Sequence, residues 1–313
     1  MPAPAAVDSV LHTIGHTPLV RLARLAPPDA ATILVKLEYF NPTGSYKDRM
    51  ALAMIEGAEA RGALRKGMRV VEYTGGSTGS SLALVCAMKG YDFHPLSSDA
   101  FSAEKLNTMR AFGAGLEMVP SDGGTVTPAL FDRFKARIAE LANEPDTYWT
   151  DQFNNTDALE GYAGIGRELL AQAGPIDAFV GMVGSAGMLV GVSRALKAHG
   201  ATRVVALEPD TSPFLTTGRG GPHRVEGTAA GFWPPHLTPG TFDEARAISE
   251  EDGRAMARRL AQEEGIFAGT STGLNLVGAL QLARELGPGK VVATVACDTG
   301  LKYLAGDLYR PAP

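Results

Sequence analysis

The chain has 313 residues, 45% hydrophobic and 20% charged, which is enough for two core-bearing lobes. A formal net charge of −5 argues against nucleic acid or an anionic membrane surface as the main partner. No uninterrupted apolar run reaches the roughly 18 residues of a membrane span, and Cys86 and Cys297 offer neither a disulfide framework nor a metal-ligand spacing. Residues 1–6 lack a basic region followed by an apolar core, so no secretory signal is expected. The two cysteines read as small buried hydrophobes in a reducing compartment, and the chain as cytoplasmic.

In chain order, short apolar runs bounded by Gly, Pro or charge predict buried strands at 32–37, 68–71, 176–183, 203–207 and 290–296. Between them, helices are predicted over 47–61, 78–89, 102–112, 125–142, 157–172, 187–198, 249–264 and 273–286. The helix near 249 opens with Ser249-Glu250-Glu251-Asp252, a pattern in which Ser249 and Asp252 are expected to satisfy backbone amides. Segment 209–243, poorly periodic and rich in Pro and Gly, reads as a long ordered loop near the site. Alternation of strand and helix implies an α/β fold with an open, mostly parallel sheet and helices on both faces.

Four motifs sit at helix starts. The first, Asn41-Pro42-Thr43-Gly44-Ser45-Tyr46-Lys47, delivers a lysine to the start of an apolar-periodic segment. The positive end of the helix dipole repels an ammonium, and with partial desolvation it lowers the amine pKa and favours Schiff-base chemistry. A snorkelling surface lysine is the ordinary alternative. The second, Tyr73-Thr74-Gly75-Gly76-Ser77-Thr78-Gly79, follows a strand and precedes a helix. Its hydroxyls and free amides suit a carboxylate, although a well-capped turn would look similar.

The third motif, Val183-Gly184-Ser185-Ala186-Gly187-Met188, could surround a single phosphate with backbone amides. It lacks the dinucleotide fingerprint and the Gly-Lys-Ser/Thr of a nucleoside-triphosphate loop. The fourth, Gly269-Thr270-Ser271-Thr272-Gly273, lets a flat ring approach closely and offers a hydroxyl in its plane, or simply caps the following helix.

In this order and spacing the four motifs resemble the cysteine synthase (O-acetylserine sulfhydrylase) and cystathionine β-synthase family of pyridoxal-phosphate enzymes, of the tryptophan-synthase-β-like fold. The resemblance runs from Ile14-Gly15-His16-Thr17-Pro18 to Asp298-Thr299-Gly300-Leu301-Lys302-Tyr303-Leu304. Asp151-Gln152-Phe153-Asn154-Asn155 and Cys297-Asp298 look closest to the B-isozyme branch. The resemblance implies two open twisted mostly parallel sheets flanked by helices, with the cofactor in a cleft between a small domain (44–154) and a large one (1–43 and 155–313). It also implies a homodimer and no metal.

By the same resemblance, Lys47 forms the internal aldimine with pyridoxal 5'-phosphate. Gly184, Ser185, Ala186, Gly187 and Met188 would bind the phosphate, and Ser271 would face the pyridine nitrogen. Thr74, Gly75, Gly76, Ser77, Thr78 and Gln152 would hold the substrate carboxylate, with Ser77 also at the cofactor. A neutral serine partner leaves the ring nitrogen unprotonated, favouring prompt loss of a β-substituent. The implied reaction is β-replacement on an O-activated serine, O-acetylserine or O-phosphoserine, by sulfide or another nucleophile through an aminoacrylate. The alternative is a β-elimination lyase of the serine/threonine dehydratase or cysteine desulfhydrase kind. A non-catalytic homologue is disfavoured by the intact Lys47 and Ser271.

Three departures from the family pattern stand out. Ser77 replaces an asparagine that normally contacts the cofactor's ring oxygen. Met188 stands where threonine usually supplies a hydroxyl, with Ala186 in place of glycine. His16 stands where asparagine is common. No regulatory module after 313 or haem-binding extension before 14 is expected, which argues against a full-length cystathionine β-synthase. Trp149 and Trp233 read as packing aromatics, and His223 and His236 as solvated loop histidines. Asp298, at a strand end, either touches the ring end of the cofactor or caps a helix.

Overall fold

A computed structural model describes residues 6–124 and 127–310. The chain runs β1 (Leu19–Arg21), β2 (Thr32–Leu37), α1 (Lys47–Ala60), β3 (Arg69–Tyr73), α2 (Ser77–Lys89), β4 (Asp92–Ser97), α3 (Ala103–Ala111) and β5 (Glu117–Met118). It continues through α4 (Pro128–Ala142), β6 (Thr147–Trp149), α5 (Asp157–Ala173), β7 (Ala178–Met182), α6 (Gly187–Lys197), β8 (Arg203–Pro209) and the one-turn α7 (Phe214–Thr217). Then come β9 (Glu244–Ile248), α8 (Glu250–Arg259), α9 (Thr270–Leu286) and β10 (Val291–Ala296).

Two sheets result. One has six strands in the order β1-β2-β10-β7-β8-β9, parallel except for β1; the other has four parallel strands, β5-β4-β3-β6. All residues of β7, and all of β10 after Val291, are buried. Strands covered by helices on both faces read as unbroken apolar runs, and that made them visible in the sequence. On β7 the side chains alternate: Phe179 packs with α1, α2, α5 and α6 residues, whereas Ala178, Val180 and Met182 pack toward α8 and α9. The four-stranded sheet buries Val71, Tyr73 and Leu96 under Leu130, Phe134, Ile138 and Leu141 of α4. Its opposite face, including Val70 and Phe93, joins the first of these cores.

All five predicted strands and all eight predicted helices are present, with α4 predicted to begin at 125, outside the described residues. Strands β1, β4, β5, β6 and β9 were not anticipated. β1, β5 and β6 have three residues or fewer, too short for any periodicity to show. β4 contains Pro95, which argues against a strand lying between two neighbours. It is tolerated because β5 pairs only with Leu96 and Ser97. Ser249 caps α8 as expected, accepting from Asp252 N–H (3.2 Å). No backbone amide among the described residues donates to the Asp252 carboxylate, and the Glu250 amide is taken by Asp210 Oδ1 (3.0 Å).

The start of α1 is anchored by buried charge. Arg49 pairs with Glu38 (2.7 Å) and Glu168 (2.7 Å), and Lys36 also reaches Glu168 (2.7 Å). Burial alone would raise the Glu168 carboxyl, but hydrogen bonds and charge from Arg49 and Lys36 outweigh it and hold it at about 2.

Candidate active site

Gly44 lets the chain turn tightly into α1. Its φ is +71°, and a Cβ there would lie 2.6 Å from Thr299 Cγ2. Ser45 forms an antiparallel bridge with Asp298, and Tyr46 N–H donates to Cys297 O (3.0 Å). Lys47, the first residue of α1, is thereby set against the end of β10 and is 8% exposed. Its Nζ lies 4.5 Å from the Tyr46 ring centroid and 6.0 Å from that of Tyr162. Among the described residues no acceptor takes a hydrogen bond from it. Burial lowers the amine to about 8, with Asp298 and Cys297 opposing the shift. Desolvation, expected from the sequence together with the helix dipole, is the leading cause.

The second motif folds around the Thr74 hydroxyl, which accepts from Gly76 N–H (3.1 Å) and Gly79 N–H (3.2 Å). Gly75 and Gly76 have no room for side chains: a Cβ would meet Phe101 at 2.7 Å and Lys105 at 2.2 Å respectively. Ser77 opens α2 and donates to Asp298 Oδ2 (2.6 Å). Thr78 donates to Gln152 Oε1 (2.8 Å), and Gln152 Nε2 donates to Tyr73 O (3.2 Å). The 74–78 loop and Gln152, 74 positions apart from Thr78 in sequence, thus meet.

In the third motif, a Cβ at Gly184 would lie 2.4 Å from Gly227 O, so glycine is needed where the loop at 227 crosses. Ala186 has φ +66°, a left-handed conformation that an L-residue adopts at a cost. Ser185 is buried at the turn, and Gly187 packs against the Tyr162 ring. The first turn of a helix leaves its amides without intrahelical partners. Here these precede Val190, whose N–H donates to Ala186 O (3.0 Å). The Met188 side chain belongs to the hydrophobic core, 4% exposed and folded back over Gly181 of β7. Only its backbone is available to the turn.

Ser271 is the second residue of α9, buried, with its hydroxyl beside the Cys297 thiol. The starts of three helices, α1, α2 and α9, therefore converge on the Cys297-Asp298 step at the end of β10. Asp298, left open between two roles in the sequence, accepts from Ser45 Oγ (2.5 Å) and Ser77 Oγ. Burial would raise its carboxyl, but Lys302, Lys105 and the two hydroxyls outweigh it and hold it below the ordinary value.

Sequence reasoning missed Ser45, Glu72, Lys105, Glu226 and Lys302. Lys105 pairs with Glu226 (2.5 Å) and lies 5.0 Å from the Tyr303 ring centroid. His236, read as a solvated loop residue, is buried instead, near Asp151 and the Gln152 backbone. His223 is half-buried on Ala229 O (3.1 Å). Trp149 packs by Glu72 and the four-stranded sheet, whereas Trp233 is 48% exposed.

The arrangement pairs a buried lysine of lowered pKa with three strand-to-helix turns. It is an α/β enzyme site suited to one phosphate-bearing carbonyl cofactor. The Gly184 cradle, the free amides opening α6 and the unbonded Lys47 amine fit such a group. The chain belongs to the pyridoxal-phosphate dependent enzyme family, whose model matches residues 10–298. It is 41% identical over 307 residues to a cysteine synthase of Staphylococcus aureus, covering 97% of each chain. The structure of a cysteine synthase from Entamoeba histolytica matches at a TM-score of 0.92 and 32% identity, over 100% of this chain and 94% of that one. That of an O-ureido-L-serine synthase matches at 0.89 and 37% identity, over 97% and 96%. The chain is thus a pyridoxal-phosphate enzyme of the cysteine synthase type with the expected fold.

Proposed function

We propose that this enzyme replaces the β-substituent of an O-activated serine, O-acetylserine or O-phosphoserine, with sulfide or another small nucleophile. The observation that carries this reading is the Lys47 amine, buried, without a hydrogen bond among the described residues, and lowered to about 8 beside the Cys297-Asp298 step that the starts of α2 and α9 also reach. Bound pyridoxal phosphate supplies the electron sink that acidifies the substrate α-carbon. Lys47 would hold the cofactor, and its amine, lowered to about 8, suits moving the substrate α-proton near neutrality.

The amides of Gly184, Ala186, Gly187 and Met188, with the Ser185 hydroxyl, would hold the phosphate. Ser271 would pair with the ring nitrogen. Thr74, Gly75, Gly76, Ser77, Thr78 and Gln152 bind the substrate carboxylate. Residues 44–154 act as a small domain closing on 1–43 and 155–313 to exclude water. Ser77–Asp298 and Lys105–Glu226 are polar contacts between the two.

We further propose a cytoplasmic homodimer. Two buried, unpaired cysteines suit a reducing compartment. Exposed Phe40, Leu301 and Leu304, following the adjacent strands β2 and β10, suit a second copy. Among the described residues no helix is long and apolar enough to cross a membrane.

The test is to reconstitute the pure protein with pyridoxal phosphate and supply O-acetylserine with and without sulfide. Cysteine formation that requires sulfide supports replacement. Pyruvate at the same rate without a nucleophile would replace this reading with β-elimination. Loss of both products would defeat the assignment of substrate.

A further inference from the structure

Glu72 is wholly buried on β3, two residues before Thr74. The ladder between β3 and β6 ends at Val71 opposite Trp149, with Thr150 N–H still donating to Val71 O (3.2 Å). The chain then turns through Asp151, whose φ of +46° is left-handed and unusual for a residue with a side chain. Beyond this point the Glu72 carboxylate takes over from the backbone ladder. Its Oε2 accepts from Gln152 N–H (3.0 Å) and the Thr150 hydroxyl (2.6 Å). Its Oε1 accepts from Tyr73 N–H (3.0 Å) and, more weakly, from Trp149 Nε1 (3.5 Å).

Three of the partners are N–H groups that can only donate, and the Thr150 hydroxyl can donate as well. An ionised carboxylate accepts from all four in charge-assisted bonds; protonation removes that charge, and an amide must set its NH2 against at least one N–H. The Gln152 backbone is therefore fixed by Glu72, while its side chain is fixed by Thr78 and Tyr73 O.

We infer that Glu72 is a positioning residue for substrate binding, locking the Gln152 loop to the 74–78 loop so that both present their donors to the substrate carboxylate together. This rests on the reading that these two loops hold that carboxylate. Burial raises the Glu72 carboxyl to about 7, Asp151 adds to the rise, and the bonds from Thr150, Gln152 and Trp149 oppose it. The other titratable groups at this corner are the Tyr73 phenol, pushed up by burial and by Glu72, and His236, pulled down by burial. The lock is thus complete above neutrality and weakened below it.

The test compares holoenzyme binding of L-serine and of L-serinamide, which lacks the carboxylate, by the change in the visible absorbance of the cofactor. In Glu72→Gln the apparent Kd for L-serine rises about tenfold, while that for serinamide stays within about twofold. For O-acetylserine the KM rises by the same factor with kcat within about threefold. The wild-type KM climbs as pH falls from about 8 to 6, and that slope flattens in the variant. Thr150→Val, which removes one donor, raises the KM about threefold and serves if Glu72→Gln does not fold. If wild-type distinguishes L-serine from serinamide but the variants bind both as wild-type does, the inference is overturned while the functional reading stands. If wild-type binds neither ligand, or both alike, both fall.

Discussion

The lowered pKa of Lys47 makes a quantitative prediction. An amine at about 8 is roughly 24% neutral at pH about 7.5, against roughly 0.1% for a lysine at the ordinary 10.5. The site therefore offers about 240 times more nucleophilic amine than an exposed lysine. In cofactor-free protein, acylation of Lys47 by a small anhydride, followed by peptide mapping across pH, should show an inflection near 8. Asp298→Asn removes a charge that opposes the shift, so the inflection should move lower. In the holoenzyme, borohydride should fix the cofactor to the peptide bearing Lys47, and Lys47→Ala should lose turnover by several orders of magnitude. An inflection at the ordinary lysine value, or an upward shift in Asp298→Asn, would refute burial as the cause.

Three other outcomes test the remaining parts of the site. Met188→Thr should leave cofactor binding measured by dialysis no tighter, because the side chain at 188 points into the core over Gly181 rather than toward the turn. It should also lower stability by about 2–3 kcal/mol in urea unfolding, because the buried side chain over Gly181 is lost; unchanged stability would contradict the packing. Ser271→Asp should favour a protonated ring nitrogen and lower the ratio of replacement to side products; a ratio unchanged across pH would mean that another group faces that nitrogen. Arg49→Met leaves Glu38 buried without its cation and should cost about 3–5 kcal/mol. Glu168 titrates at about 2 when folded, below its ordinary 4.5, so its contribution is present above about 4.5 and fades as pH falls toward 2. Acid unfolding of Arg49→Met should show a shallower slope in that window.

The sequence by itself was enough for what is local. Parallel strands covered on both faces are predominantly apolar, so β7 and β10 were legible as runs, and β2 was as well despite Lys36. Helix starts need capping residues and glycines at particular turns, so the four motifs were legible as strand-to-helix turns, with Lys47 at the start of α1. Pro95 hid β4, because no local rule reveals that the short β5 leaves part of that strand unpaired. Met188 was legible as a residue of the small-residue turn that opens α6, but its side chain follows the core side of that helix, which only packing decides. Long-range partners were out of reach altogether. Ser77 meets Asp298 across 221 positions, and Lys105 meets Glu226 across 121. Glu72 serves Gln152 across 80. A buried carboxylate must find donors wherever the fold brings them. The sequence shows that such a group exists, and only the tertiary structure chooses its partners.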